Sequence, residues 1–278
     1  MSIRQRLRTL AEERAAKAYV ADVRLGLTYT AVKLDDGRAG VSYSFGNRLV
    51  SGCSVFRGAR PLAGRPAIQL LDYLLSDDLL ECSLGLATVN ALVNIRQSAA
   101  IEGDVLEAVS LSRTDRVGMI GYFGPLVPVL EKRVAQLHVF EEFNGVSGVY
   151  RPAEDAFDVL PHCDVALITS TTIVNGTIDK LLDAASNCRD AVLLGSSTPM
   201  LPAAFMGTSV TWLSGIVVHD ANALLRTVSE GGGTLFFKPY VTKFNLCCDR
   251  DSSDGRSSAN TDHCIGGQRN SAAARIDG

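Results

Sequence analysis

The stretch VGMIGYFGPLVPVL, residues 117–130, reads as a short apolar strand, a glycine-bent loop and the start of a helix, and that succession decides the fold. Gly118, Gly121 and Gly124 recur every three residues, close to the dinucleotide fingerprint G-x-G-x-x-G without matching it. With Gly121 and Gly124 on the second and third glycines, Met119 stands where the first belongs; starting from Gly118 leaves one residue too many. Gly121 lets the backbone approach an anion, and Gly124 relieves crowding between loop, helix and sheet. Pro125 and Pro128 delay the helix, because a proline deeper in it would remove an intrahelical donor. The delay lengthens the loop between Gly121 and Val127. The loop holds a nucleotide, another anion or nothing.

Downstream, short apolar runs alternate with helical patterns. RVGMIG, AQLHVFE, DVALITS, AVLLGSS, VTWLSGIVV and TLFFK read as strands, with helices near 128–136, 152–159, 177–186, 200–206 and 220–230. Such alternation predicts right-handed crossovers and a mainly parallel sheet, an α/β domain of Rossmann-like plan. Three strand ends then carry candidate ligand groups. Glu141 closes LHVFEE about 20 positions after the glycine loop, where an acidic residue holds ribose hydroxyls in dinucleotide folds. DVALITSTTIVNGTIDKLL ends its strand in Thr169, Ser170, Thr171 and Thr172, turns at Asn175-Gly176, and enters a helix that Thr177 can cap. AVLLGSSTPMLP places Gly195, Ser196, Ser197, Thr198 and Pro199 at the next strand end. Loops at the carboxyl ends of parallel strands meet along one crevice, where hydroxyls either bind an anion or satisfy local backbone.

Upstream, residues 2–21 show helical recurrence, and LTYTAVKL and AGVSYSF flank Asp35-Asp36-Gly37-Arg38 as a hairpin. PAIQLLDYLLS starts a helix with Pro66 in its first turn, and DDLLECSLGLATVNALVNIRQ reads as a buried helix. Asn90 and Asn94, four apart, share one face of it, lining a cleft or satisfying buried backbone. The expected division is a small α+β domain at 1–104, a ligand-binding domain at 105–246 and a tail at 247–278. Residues 249–278 hold two large aliphatic residues and no aromatic one, too little apolar surface to offset ordering, so the tail is expected to be disordered.

A net charge of -3 gives no basic surface for nucleic acid and no polybasic membrane patch. No signal-peptide core follows the charged N-terminus, and no uncharged apolar run approaches about 18 residues, which points to a cytoplasmic protein. The seven cysteines are odd in number and scattered along a chain too long to need stapling, so they read as reduced thiols. Cys247-Cys248 with His263-Cys264 is a weak soft-metal candidate, and no G-x-S-x-G, H-E-x-x-H or Walker loop supports the commonest hydrolase or ATPase routes.

The glycine loop, then ALITSTTIVNGTIDKLL, then VLLGSSTPMLP together resemble the Rossmann-like heavy-metal chelation domain family, over roughly residues 5–245. LTYTAVKL with LGLATVNALVNI looks like the enolase-N-terminal-like domain that precedes it in that family. The resemblance points to Gly121, Gly124 and Pro125 in the first loop, and to Thr171, Thr172, Asn175, Gly176 and Thr177 in the second. It adds Ser197, Thr198 and Pro199 in the third, and Asn90 near the domain interface. Ser196 stands where the family often has proline. The matched motifs hold hydroxyls, amides and glycines rather than a cysteine or histidine cluster, so the family name does not by itself give direct heavy-metal ligation.

The expected function is binding of a small anionic, nucleotide-like or metal-chelate ligand in an interdomain cleft, in metal or metal-cofactor metabolism. A metal ion or a nucleotide-like molecule is the expected cofactor. The alternatives are a transferase or oxidoreductase using a nucleotide-derived cofactor, and a non-catalytic interaction scaffold. Catalysis and homo-oligomer formation are left open.

Overall fold

Ser2 starts the first helix by a reciprocal cap. Its hydroxyl accepts the Gln5 N–H and its own N–H goes to Gln5 Oε1 at 2.9 Å, which satisfies two donors that a helix end leaves unpaired. Helix α1 (Ile3–Ala15) buries Ile3, Leu7, Ala11 and Ala15, one stripe at a spacing of four. The computed structural model describes residues 1–48, 54–141 and 150–248.

After α1 come β1 (Val20–Leu25), β2 (Tyr29–Leu34) and β3 (Ala39–Tyr43), a three-stranded antiparallel sheet. The expected hairpin is its β2–β3 half, with Tyr29 opposite Tyr43. Helix α2 (Ala67–Leu71) follows Pro66, and α3 (Leu79–Val93) is capped by Asp78, whose carboxylate accepts the Leu80 and Glu81 N–H groups. Helix α3 is buried from Cys82 to Val93 and packs against β2, β3, α1 and α2. It ends at Val93, short of the expected Gln97, because Asn94 leaves the helical conformation and turns its amide to other work.

The remaining described elements are β4 (Ile101–Glu102), α4 (Val105–Ala108), β5 (Arg116–Ile120), α5 (Val127–Arg133), β6 (Gln136–Glu141), β7 (Arg151–Pro152), α6 (Ala156–Val159) and β8 (Val165–Thr169). After them come α7 (Thr171–Val174), α8 (Ile178–Ala184), β9 (Asp190–Leu194), β10 (Trp212–Val218), α9 (Ala221–Ser229), α10 (Thr234–Phe237) and β11 (Val241–Cys247). They build a mixed α/β unit on an eight-stranded sheet ordered β4-β11-β10-β9-β8-β5-β6-β7. From β7 to β10 all pairings are parallel, whereas β11 is antiparallel to both β10 and β4. Strand β9 is buried along its whole length, which is why its sequence reads as a near-continuous apolar run rather than an alternation. One apolar cluster runs from Leu7 and Leu34 through Leu84 to Ile168 and Leu193, so α3 is shared by the two sheets.

Two expectations are corrected. TLFFK is not a strand: residues 234–237 form the helical turn α10, between Gly231-Gly232-Gly233 and Pro239, with Phe237 in the core. The edge of β10 is taken by β11, paired with it over seven residues, so the apolar run at 234–237 has no ladder to join. The second concerns the thiols: Cys82, Cys163, Cys188 and Cys248 are free, but Cys247 is disulfide-bonded. A disulfide needs two thiols in the right geometry, whatever the length of the chain. Cys247 ends β11 and the Cys248 N–H bonds to Thr211 O just before β10, so these two residues are tied to the sheet rather than to a tail. The rest of the expected tail, from Asp249 on, lies outside the described residues.

Candidate functional site

The strand ends β5, β6, β8 and β9 open on one edge of the sheet, and the loops leaving them touch. Gly121 has φ +84°, and a Cβ on it would stand 2.9 Å from the Thr169 methyl carbon, so glycine is required by the approach of the second loop. Its N–H goes to Phe140 O at 2.9 Å, and the next one, on Tyr122, goes to Glu141 Oε2 at 2.9 Å. Two of the backbone donors expected for an anion are thus used inside the protein, and Glu141, expected to hold ligand hydroxyls, fixes the loop. Pro125 has no N–H; among the described residues the Phe123 and Gly124 N–H groups have no acceptor. Gly124 makes room for the Tyr122 ring, 3.2 Å from where its Cβ would be, rather than for helix or sheet. Helix α5 starts at Val127 with Pro128 in its first turn, as the proline spacing predicts.

In the second loop Thr171 and Thr172 belong to the turn α7 rather than to an open loop. The Thr172 hydroxyl donates to Thr169 O at 2.6 Å, and the Thr169 and Thr171 hydroxyls lie 3.1 Å apart. Arg4, from α1, donates to Ile173 O at 2.7 Å and Val174 O at 2.6 Å, carbonyls that a four-residue helix leaves without partners. Thr177 precedes α8 but does not cap it through its side chain. Its N–H and hydroxyl both go to Asn175 Oδ1, at 3.2 and 2.8 Å, closing the turn in which Gly176 takes φ +78°.

The third loop is sewn to the rest of the molecule. Thr198 hydrogen-bonds the Ser170 hydroxyl and donates to Gly195 O, and Ser197 Oγ accepts the Tyr43 N–H at 2.9 Å. Asn90 donates to Val41 O at 2.8 Å and Ser197 O at 3.0 Å. Asn94 donates to Thr198 O at 2.9 Å and Ile216 O at 3.2 Å, and accepts the Met200 N–H at 2.8 Å. The two amides therefore satisfy buried backbone. The Asn90 carbonyl oxygen is buried without a partner among the described residues.

The predicted residues Gly121, Thr171, Thr172, Ser197, Thr198 and Glu141 thus share one edge, while Asn90 supports it from behind. Sequence reasoning missed the aromatic residues there. Phe123 reaches to 4.0 Å from the position of a Gly195 Cβ, otherwise open space. Tyr29 and Tyr43 stack edge to face at 5.7 Å, continued by Phe237 at 5.1 Å from Tyr29 and Phe45 at 5.0 Å from Tyr43. Counting outward from the Asp-Gly turn would have placed both tyrosines on one face. Burial pushes the Tyr29 phenol up, against hydrogen bonds with Thr234 and Ser196. Burial, and then the Glu141 carboxylate, push Tyr43 up, with Arg48 opposing.

Elsewhere, a cavity of about 460 Å³ opens between the start of α1 and α8, lined by Ile3, Arg6, Asp179, Leu182 and Ser209 among others, none of them a predicted site residue. Among the described residues no three His, Cys, Asp or Glu side chains come together to hold a metal ion. Nor, among them, is any helix long and apolar enough to cross a membrane.

Comparison with known proteins follows these two parts of the chain. Residues 104–247 match the model of the DUF364 family and residues 8–93 that of DUF4213, both described as "Putative heavy-metal chelation". An uncharacterized protein of Methanocaldococcus jannaschii is 28% identical over 178 residues, 62% of this chain and 68% of that protein. A crystal structure of a DUF364 protein of unknown function from Pyrococcus horikoshii superposes with a TM-score of 0.80 at 25% identity, over 88% of this chain and 100% of that one. Another, from Desulfitobacterium hafniense, gives 0.70 at 23% identity, over 87% and 98%.

Proposed function

Since this chain belongs to the DUF364 family, whose description names heavy-metal chelation, we propose that it binds a small metal-related organic molecule in the crevice at the carboxyl ends of β5, β8 and β9. The observation that carries the reading is the meeting of three loops there, Gly121 against Thr169, Phe123 beside Gly195 and Ser170 on Thr198. The parallel strands run β7-β6-β5-β8-β9-β10, the order of dinucleotide-binding folds, and the crevice sits at β5 and β8, where the winding reverses. That order supports a Rossmann-like unit at 105–246, and the antiparallel β1-β2-β3 sheet with α3 packed on it supports an enolase-N-terminal-like unit at 1–104.

In this reading the Phe123 and Gly124 N–H groups face acceptor atoms of the ligand, and Thr171, Thr172, Ser197 and Thr198 shape the polar rim. Glu141 holds the first loop in place through Tyr122. The strand order also favours a second reading, a nucleotide-derived cofactor serving a transferase or oxidoreductase.

Native mass spectrometry with elemental analysis of gently purified protein tests the proposal, followed by calorimetry with NAD(P), S-adenosylmethionine, ATP and metal chelates. A stoichiometric small molecule whose affinity falls in a folded Gly121→Val variant is the expected result. Failure of every ligand to bind folded protein overturns it.

A further inference from the structure

The family description and the donor set disagree, and the disagreement bears on how a metal arrives. A heavy-metal ion in a protein needs three or four converging thiolate, imidazole or carboxylate donors. The described residues bring no such three together. At the crevice the Glu141 carboxylate accepts the Tyr122 N–H, and the Thr172 and Thr198 hydroxyls donate to backbone carbonyls. Three of the four free, buried thiols among the described residues point to backbone as well: Cys163 to Val159 O, Cys188 to Leu160 O and Cys82 to Leu74 O.

What the crevice does offer is rings and a side-chain-free floor. Gly195 has φ +119° and open space where a Cβ would be, with Phe123 the nearest neighbour. Two residues along, Ser197 is fixed to Tyr43, whose ring stands edge-on to Tyr29. Phe123 thus stands by Gly195, the Tyr29 phenol hydrogen-bonds Ser196, and the Tyr43 phenol feels the Glu141 carboxylate, so aromatic rings flank the loop Gly195–Ser197. The phenols of Tyr29 and Tyr43 are held protonated by burial, which suits them to hydrogen bonding rather than to metal ligation.

We infer that the chain takes its metal already wrapped in an organic chelator, and that the crevice recognises a flat, ring-bearing chelate through Phe123 and Tyr43 beside the Gly195 floor. This rests on the crevice reading above. The metal's donors come from the chelator, and the protein supplies apolar contact, ring stacking and peripheral hydrogen bonds.

Equilibrium dialysis of the full chain against nickel chloride, the flat nickel–salophen complex and the compact nickel–EDTA anion, read by elemental analysis, tests the inference. One-to-one retention of nickel–salophen, with bare nickel and nickel–EDTA dialysed away, is expected. Phe123→Leu, which keeps apolar volume and removes the ring, should weaken nickel–salophen about tenfold. Stoichiometric retention of bare nickel overturns the inference, as does unchanged affinity in folded Phe123→Leu. Binding of nickel–EDTA alone, reduced by Gly121→Val, also overturns it while leaving the crevice in place. Salophen binding that Gly121→Val and Phe123→Leu both leave unaltered removes the crevice itself.

Discussion

The two edges of the parallel sheet are closed in opposite ways. Where the strands begin, charges do the work. Asp115 takes two hydrogen bonds from Arg189, at 3.2 and 2.9 Å, and one from the Ser112 N–H at 2.7 Å; Arg189 also reaches Asp190, which accepts from Thr211. Asp164 accepts the Arg116 N–H at 2.7 Å. Where the strands end, most links are neutral: hydroxyl to hydroxyl, hydroxyl to carbonyl, and the amides of Asn90 and Asn94, with the Glu141 carboxylate on the Tyr122 N–H as the charged exception. The charged edge has its groups paired to one another and resembles a fastening. The other edge keeps glycines, two N–H groups without acceptors among the described residues and aromatic rings, features that a fastening does not need and that the proposed ligand would use.

The largest expected effect falls on the neutral edge. Asn94→Leu leaves the Thr198 and Ile216 carbonyls and the Met200 N–H buried and unpaired, and should lower unfolding free energy by about 3–4 kcal/mol, read as a lower urea midpoint. Asp115→Ala should cost about 2–3 kcal/mol, because it removes charge-assisted bonds while Arg189 stays partly solvated, and crevice affinity should not change. If that affinity fell as far as stability did, the two edges would not be independent.

The pH dependence sharpens the contrast. Burial alone would raise the Asp115 carboxyl, but hydrogen bonds from Arg189 and Ser112 and the Arg189 charge outweigh it and hold the group below its ordinary value. A depressed folded value stabilises the fold fully above the unfolded pKa of about 3.9, and the stabilisation is lost as pH falls through the folded value. Acid unfolding of Asp115→Asn should therefore lack that component, a difference visible in circular dichroism below about pH 4. The smallest effect belongs to Glu141→Gln. The amide oxygen still accepts the Tyr122 N–H, so stability should change by under about 1 kcal/mol. Loss of the carboxylate charge should instead lower the Tyr43 pKa, measured by tyrosinate absorbance.

Local signals made much of this legible. The Asp-Gly turn fixed β2 and β3, apolar runs between turn residues marked β5, β6, β8, β9 and β10, and Pro128 set the start of α5. The convergence of Ser/Thr-rich strand ends followed from parallel topology alone. Partnership was less legible. Nothing local says that the Tyr122 N–H takes Glu141, or that Asn94 serves Thr198 rather than a ligand, since each is decided across many residues of chain. TLFFK failed for the same reason: its composition suits a strand, but β11 pairs with β10 along the edge next to it. The Tyr29–Tyr43 face needed strand register, which composition does not carry.

Arg4 has a consequence for how the chain is made. It lies in α1, yet its acceptors Ile173 and Val174 lie 169 and 170 residues further on. At ordinary synthesis rates Arg4 waits about 10–30 s for them, with α2 and α3 already made to pack against α1 meanwhile. Helix α1 is thus among the last elements to complete its set of partners, and substitution of Arg4 should act on late folding.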